Sequence, residues 1–452
     1  MLRGKSLNRS ECSEIIIEKM SHEGRGIGHL DGRVVFVEGA LIGETVKINI
    51  FKKTPKFAEA RVTEVLTPSP DRIEPKCAVF GICGGCSLQH MPSHLQIELK
   101  QKMLAEQFKH FAQTEPKNWL LPLQTKTFGY RSKARLGVKY VEKKGGVLIG
   151  FREKSGKYLT QMDRCEVLDP ILGENLELLK TWIGSLSLRD QIPQLECAVD
   201  DESAVLIVRH MAPLTPEDLE KTKKLVDNFP DKKLVIYLQS KGPETIKRFY
   251  PEGPELLSYE LPLEGLPSAL KFFFAPSDFT QVNMSLNPLM VNQALSFLEL
   301  QSSDVVLDLF CGLGNFTLPL AKRAGQVIGV EGDEAMTSRA LKNAEHNQIH
   351  NVEFYAENLF DPFADKSFFT KYKYDKVLLD PPRAGALQAC TELASLGKKG
   401  PKKIVYVSCN PATLARDAGV LVSAGYVLTH AGVMDMFPHT EHVESMAVFS
   451  RS

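Results

Sequence analysis

The sequence predicts a multidomain α/β protein with a C-terminal doubly wound, Rossmann-like parallel sheet and a small N-terminal β-barrel. Three observations carry this reading. From residue 304 onward, apolar β-type runs alternate with helical stretches, as in strand–helix–strand units. A glycine loop, CGLG at 311–314, follows the first of those runs, where open α/β sheets take their ligands. Residues 13 to 67 instead alternate short β-type runs with turn signals (SEIIIEKM, HEGRGIGHLDG, RVVFVEGA, ETVKINIFKK, EARVTEVL), the pattern of an antiparallel barrel. At 452 residues the chain is too long for one core, so two or three domains are expected.

Composition narrows the class. A hydrophobic content of 43% with 24% charged residues is that of a soluble globular protein. The start, MLRGKSLNRSECSE, has no apolar signal core, and no apolar run is long enough to cross a bilayer. A cytoplasmic address without membrane contact is therefore expected. There, nine cysteines point to metal ligation or catalysis before disulfides. The formal net charge is zero, so any argument for a polyanionic partner rests on local patches.

In chain order, the barrel carries Lys47, Lys52, Lys53, Lys56 and Arg61 against Glu59, with Phe51 and Phe57 among them. That mixture suits nucleic acid, by phosphate neutralisation and base stacking, and equally a solvated charge run. Pro68, Pro70 and Pro75 mark a linker. Cys77, Cys83 and Cys86 follow, with Cys165 much later in DRCEVLDP. Gly84 and Gly85 let the backbone turn tightly around a metal. Four thiolates fit zinc or an iron–sulfur cluster, and the spacing does not choose between them. Leu95 to Phe111 reads as an amphipathic helix. Between Phe128 and Tyr158 nine Lys or Arg stand against Glu142 and Glu153, interleaved with Tyr130, Tyr140, Phe151 and Tyr158. This stretch reads as a hairpin turning at Gly145–Gly146. It favours RNA or another single-stranded nucleic acid, with lysines guarding an edge strand as the plainer alternative. Residues 171 to 270 alternate helix and strand without chemistry, and Trp182, Cys197 and His210 are packing residues.

The C-terminal repeat identifies a cofactor. Glu331 ends the second strand, nineteen residues after Gly312, where an acidic side chain bonds ribose hydroxyls. A dinucleotide fingerprint would place a small residue at 317, which is Thr317, and a looser glycine loop favours S-adenosylmethionine (SAM). Asn358, ending the third strand, is placed for the adenine, and Asp380, ending the fourth, faces the boundary between cofactor and substrate. Arg383 stands where exocyclic-amine methyltransferases usually carry an aromatic. The fifth strand, Ile404–Val407, stops at Ser408-Cys409-Asn410-Pro411. Pro411 disfavours helix at Asn410 and suits the first turn of the next helix. Cys409 thus lies where a strand ends and a helix begins, a place that eases thiol ionisation. Taken alone it reads more simply as a buried structural cysteine. On a methyltransferase fold it implies carbon methylation: a thiolate adds at C6 of a pyrimidine and activates C5. A base must then remove the C5 proton. Glu444 is the candidate, with His439 and His442 as alternatives.

These residues resemble the RNA uracil-5-methyltransferases, over nearly the whole chain. FTQVN (279–283), DLFCGLGNFTLPLA (308–321), GVE (329–331), DPPRAG (380–385), SCNPATLARD (408–417) and HVESM (442–446) are similar to that family's motifs. GICGGCSLQH (81–90), DRCEVLDP (163–170) and YRSKARLG (130–137) resemble its iron–sulfur, 23S ribosomal RNA branch. The resemblance implies Cys409 as nucleophile and Glu444 as base. It places SAM contacts on Gln281, Phe310, Asn315, Glu331, Asn358 and Asp380, and a [4Fe–4S] cluster on Cys77, Cys83, Cys86 and Cys165. It also implies an RNA-binding, OB-like TRAM barrel over 1–70, a central α+β iron–sulfur domain over 71–95 and 125–270, and a catalytic domain over 96–124 and 271–452. The implied enzyme is a monomer that makes 5-methyluridine in 23S ribosomal RNA. Transfer RNA is less expected, because the sister enzymes acting on it generally lack both the TRAM domain and the cluster. An RNA cytosine-5-methyltransferase would carry Pro-Cys where this chain has Asp380-Pro381-Pro382. A non-catalytic assembly factor would not need Cys409 and Glu444 together.

Overall fold

The computed structural model describes residues 12–154, 156–230 and 233–451. The chain divides into two compact units. The first takes the described residues up to Lys100 with Arg152–Lys157 and Pro438–Glu441, and the second takes the remainder.

In the first unit, six strands run in the order Cys12–Ile16, Thr45–Lys53, Phe57–Thr67, Arg33–Glu38, Gly26–Leu30, Lys19–Met20. Their alternation turns Ile15, Ile17, Val35, Val37, Val46, Ile48, Ala58 and Ala60 into one core. The linker is fastened to this sheet by a buried carboxylate. Glu44 accepts from Leu41 N (2.8 Å), Ser69 N (3.2 Å) and Arg72 Nε (2.5 Å). Burial would raise its pKa, but the Arg72 hydrogen bond, the two amides and the Arg72 charge together hold it below the usual carboxylate range. The basic run of the barrel is less free than its sequence suggests. Lys47 pairs with Glu64 (2.8 Å), Lys52 with Glu59 (3.2 Å) and Arg61 with Glu38 (3.0 Å). Glu64 and Glu38 lie outside the Lys47–Arg61 stretch, and strand pairing brings them in.

The second unit holds a mixed six-stranded sheet and an eight-stranded one. The mixed sheet contains the expected hairpin. Lys133–Val141 pairs antiparallel with Gly146–Gly150. Gly145 (φ 85°) and Gly146 (φ 128°) make the turn after one 3₁₀ turn at Glu142–Lys144. Here too a lysine is not as the sequence suggested. Lys133 donates through Nζ to the Asp278 carbonyl, and burial pushes its pKa down to about 8 against the pull of Asp278 and Glu196. Trp182 and Cys197 are buried.

We number the strands of the larger sheet in chain order: β1 Val305–Leu309, β2 Gln326–Glu331, β3 Val352–Ala356, β4 Lys376–Leu379, β5 Lys403–Ser408, β6 Val427–Met434 and β7 Glu444–Ser450. The spatial order is β3-β2-β1-β4-β5-β7-β6, with Asn118–Trp119 on the outer edge. Strands β1 to β5 are parallel, and β7 lies antiparallel between β5 and β6. Ile404 to Val407 are wholly buried, as expected of a parallel strand covered on both faces. Chain direction across the sheet reverses between β1 and β4, which opens a crevice at their carboxyl ends. Ahead of this sheet, the helix Ser93–Gln107 ends in a π-turn at Phe108–Ala112. Among the described residues no helix is long and apolar enough to cross a membrane.

Candidate active site

The glycine loop is shaped from both sides. Phe310 (φ 65°) and Cys311 both donate their amides to Val330 O, at 2.9 and 3.1 Å, which bends the chain off β1. Gly312 (φ 54°) then donates to Glu331 Oε2 at 3.2 Å, while Oε1 of the same carboxylate accepts from Gly332 N at 2.7 Å and Asp333 N at 3.2 Å. Glu331 is thus oriented at the end of β2. At Gly314 (φ 88°) a Cβ would lie 2.6 Å from Leu318, so glycine is needed for the loop to meet its helix. The Phe310 ring lies 5.9 Å from that of Phe360, which is half exposed. Asn358 caps its own turn, accepting from Phe360 N at 3.1 Å. Gln281 is half-buried. Asn315 is engaged within the protein, exchanging two 2.9 Å hydrogen bonds with Asn287 and accepting from Tyr259 at 3.0 Å.

Cys409 and Glu444 come together through strand register. Ser408 at the end of β5 pairs with Ser445 of β7, so Cys409 and Glu444 each lie one residue beyond the last pair of that ladder, and the two interact electrostatically. Asp380 leaves the neighbouring β4 at the same edge, its amide bonded to Leu309 O at 3.3 Å. Glu444 is 5% exposed, and burial, then Asp380, raises its pKa well above the carboxylate range. Burial raises that of Asp380 to about 7. The thiol departs from expectation. Burial, followed by the charges of Glu444 and Asp380, pushes Cys409 up to about 11, and Arg383 and a backbone bond only partly offset this. The helix start that follows Cys409 is outweighed by burial together with two carboxylates. Of the alternative bases, His442 lies 3.3 Å from the Arg383 guanidinium. His439 belongs to the first unit, with Nδ1 3.1 Å from Gln96 Nε2.

A third carboxyl escaped sequence reasoning. Asp308, within β1, is 0% exposed; it accepts from Thr317 Oγ1 at 2.5 Å, and its Oδ1 has no hydrogen-bond partner. Burial, with Asp380 and Glu331 adding, raises its pKa to about 8 despite the Thr317 bond. An acid inside an apolar strand, DVVLDLF, was the available signal.

The cysteines of the expected cluster fall in both units, Cys77, Cys83 and Cys86 in the first and Cys165 in the second. Gly84 donates to Arg152 O at 2.9 Å, and a Cβ there would lie 2.9 Å from the same oxygen. Gly85 N donates to Cys83 Sγ at 3.4 Å. Among the described residues no group of three or more His, Cys, Asp or Glu side chains is arranged to hold a metal ion.

Comparison with known proteins decides the family. Residues 93–452 match the profile of the tRNA (uracil-5-)-methyltransferases. The chain belongs to that family. Residues 9–63 match the TRAM domain, as the family resemblance led one to expect. This uracil-5-methyltransferase family member is 49% identical over 99% of its length to the whole of a protein from Francisella tularensis subsp. novicida named 23S rRNA (uracil(1939)-C(5))-methyltransferase RlmD. It is 52% identical to the protein of that name from Alkalilimnicola ehrlichii, over 98% of this chain and 97% of the relative. Among solved structures it resembles the Pyrococcus abyssi tRNA (uracil-54, C5)-methyltransferase in complex with S-adenosyl-L-homocysteine. That match has a TM-score of 0.73 and 26% identity and covers 96% of this chain and 99% of the other.

Proposed function

We propose that the protein methylates C5 of a uridine in 23S ribosomal RNA, using SAM, with Cys409 as nucleophile and Glu444 as base. The observation that carries this reading is that the β5–β7 ladder ends one residue short of Cys409 and Glu444, where Glu444 and Asp380 both act on the Cys409 thiol. The substrate follows the near full-length relatives. Cys409 Sγ adds to C6 of the uridine, and C5, made nucleophilic, takes the methyl group. The Glu444 carboxylate then accepts the C5 proton, and the thiolate leaves C6. Burial raises the proton affinity of the ionised Glu444 carboxylate, which makes it a stronger acceptor for that second half once it is deprotonated.

The residues at the crevice fit the cofactor. SAM supplies the methyl on a positively charged sulfonium, and Asp308, Asp380 and Glu444 are acids held toward their neutral form whose ionisation a neighbouring cation would favour. We assign the ribose hydroxyls to Glu331, the adenine side to Phe310 and Asn358, and the methionine end to Gln281, Asn315 and Asp380. A [4Fe–4S] cluster on Cys77, Cys83, Cys86 and Cys165 is proposed on the family's ligand pattern. It is supported by an all-thiol donor set and by the Gly85 N–H directed at Cys83 Sγ. Anaerobically purified protein should be brown, with iron and sulfide in roughly equal amounts; colourless protein with one zinc would overturn the cluster. We keep the three-part division, with the TRAM barrel over 1–70, the central part over 71–95 and 125–270, and the catalytic part over 96–124 and 271–452, acting as a cytoplasmic monomer.

Incubation with labelled SAM and either large-subunit RNA or transfer RNA, followed by nucleoside analysis, tests the function. Labelled 5-methyluridine in the large-subunit RNA is expected. Label on cytosine, or in transfer RNA alone, would replace this reading.

A further inference from the structure

The helix Pro411–Ser423 presents polar side chains at a spacing that its packing does not require. Asn410, Thr413, Arg416 and Asp417 stand zero, three, six and seven residues along, which is one helical face. All four engage the backbone of the loop after β4. Asn410 Nδ2 and Thr413 Oγ1 donate to Arg383 O, at 3.0 and 3.3 Å. Arg416 Nη2 donates to Ala384 O at 3.0 Å, and Asp417 Oδ2 accepts from Ala386 N at 2.7 Å. Asp417 is 0% exposed, a buried carboxylate for which the proposed chemistry has no use. Its other partners explain its place. Arg416 Nε donates to its Oδ1 at 2.8 Å, and the equally buried Tyr406 donates its hydroxyl to Oδ2 at 2.8 Å while accepting from Ala386 N at 3.0 Å. Tyr406 stands on β5, three residues before Cys409. Gly385 (φ 79°) has no room for a side chain, since a Cβ would lie 2.7 Å from Arg416 Nη2, 2.7 Å from Asp417 Oδ2 and 2.9 Å from Thr413 Cβ.

One loop carries Asp380 and Arg383, strand β5 leads into Cys409, and a buried acid is bonded to Ala386 at the end of that loop and to Tyr406 within that strand. We propose that Asp417, acting through Tyr406 and Arg416, is a positioning residue that locks the 380–386 loop to the segment bearing the nucleophile, so that Asp380, Arg383 and Cys409 share one geometry before RNA arrives. This rests on the reading of Cys409 as nucleophile. Asp417 touches no reacting atom; its contribution is to the alignment of groups that do, and small misplacements of such groups slow reactions steeply.

The test uses full-length protein and large-subunit RNA containing 5-fluorouridine, whose C5 fluorine cannot leave as a proton and so traps the covalent complex. Three variants perturb the lock from different sides: Tyr406→Phe removes only a hydroxyl, Asp417→Asn removes the charge, and Gly385→Ala pushes from the loop. Each should trap RNA about tenfold more slowly or worse at saturating SAM and RNA. SAM affinity, read by calorimetry, should fall much less than the trapping rate, because Asp380 is the only assigned cofactor contact on the locked loop and the glycine loop at β1 is untouched. Trapping at the wild-type rate in all three would overturn the proposal. So would SAM affinity and melting temperature falling in step with the rate, the mark of a merely structural role. Failure of the wild-type protein to trap RNA at all would instead overturn the Cys409 reading beneath it.

Discussion

The barrel and the carboxyl edge of the parallel sheet are both rich in charge, and they handle it in opposite ways. On the barrel, Lys47–Glu64, Lys52–Glu59 and Arg61–Glu38 are partly exposed pairs across strands. Water screens each of them, so each contributes about 0–1 kcal/mol and no unusual chemistry. At the sheet edge, Asp308, Asp380 and Glu444 are removed from water beside like charges, and every one is pulled toward its neutral form. Counting charges along the chain would rank the basic stretches first. Environment reverses the ranking, because an ion that is buried among like charges stores free energy that a cationic ligand or a transferred proton can release.

Four experiments probe that contrast, beginning with the largest effect. Cys409→Ala and Glu444→Gln should each lower turnover by at least ~10²–10⁴-fold, but at different steps. The cysteine variant should leave no covalent complex, whereas the glutamine variant should methylate and then stall as a protein–RNA adduct on a denaturing gel. Normal turnover by Glu444→Gln would move the base to His442. Next, the solvated face of the hairpin should matter for RNA. Replacing the exposed Arg135, Lys139, Lys143 and Lys144 with Ala should weaken RNA binding, with SAM affinity unchanged. The salt dependence of binding should flatten by about one log unit for each phosphate that is no longer neutralised. An unaltered salt slope would make this face an ordinary surface.

The third experiment reads the buried edge as stability. Asp308 has a folded pKa of about 8, against roughly 3.9 when unfolded. The folded state therefore binds the proton more tightly, and the stability this confers below pH ~4 is lost as pH rises toward 8. Asp308→Asn should flatten the decline in urea midpoint between pH 5 and 8, by at most about 1.4 kcal/mol per pH unit. Equal slopes in variant and wild type would refute the assignment. The smallest effect is expected on the barrel. Lys47→Ala should change stability by no more than about 1 kcal/mol, and less at high salt.

The fold class, the strand–helix alternation, the glycine loop, the hairpin turn and the strands of the N-terminal β domain were legible in the amino-acid order. Each is written in local periodicity or in turn residues whose backbone needs are local too. So was the special place of Cys409, because a strand end followed by Asn-Pro is a local event. Three things were not legible. The acids that pair with Lys47 and Arg61 come from neighbouring strands, and Lys133 looked solvated although it is half-buried against the Asp278 carbonyl. The ionisation of Cys409 was read from its helix start, yet burial, reinforced by Glu444 and Asp380, dominates it. Tyr406 and Asp417 looked like ordinary strand and helix residues until Ala386 was found bonded to both. Sequence by itself determined which elements form and which residues lie at their ends. Tertiary structure alone decided which of those ends meet and how dry the meeting place is, because desolvation and through-space charge depend on neighbours that the chain order does not name.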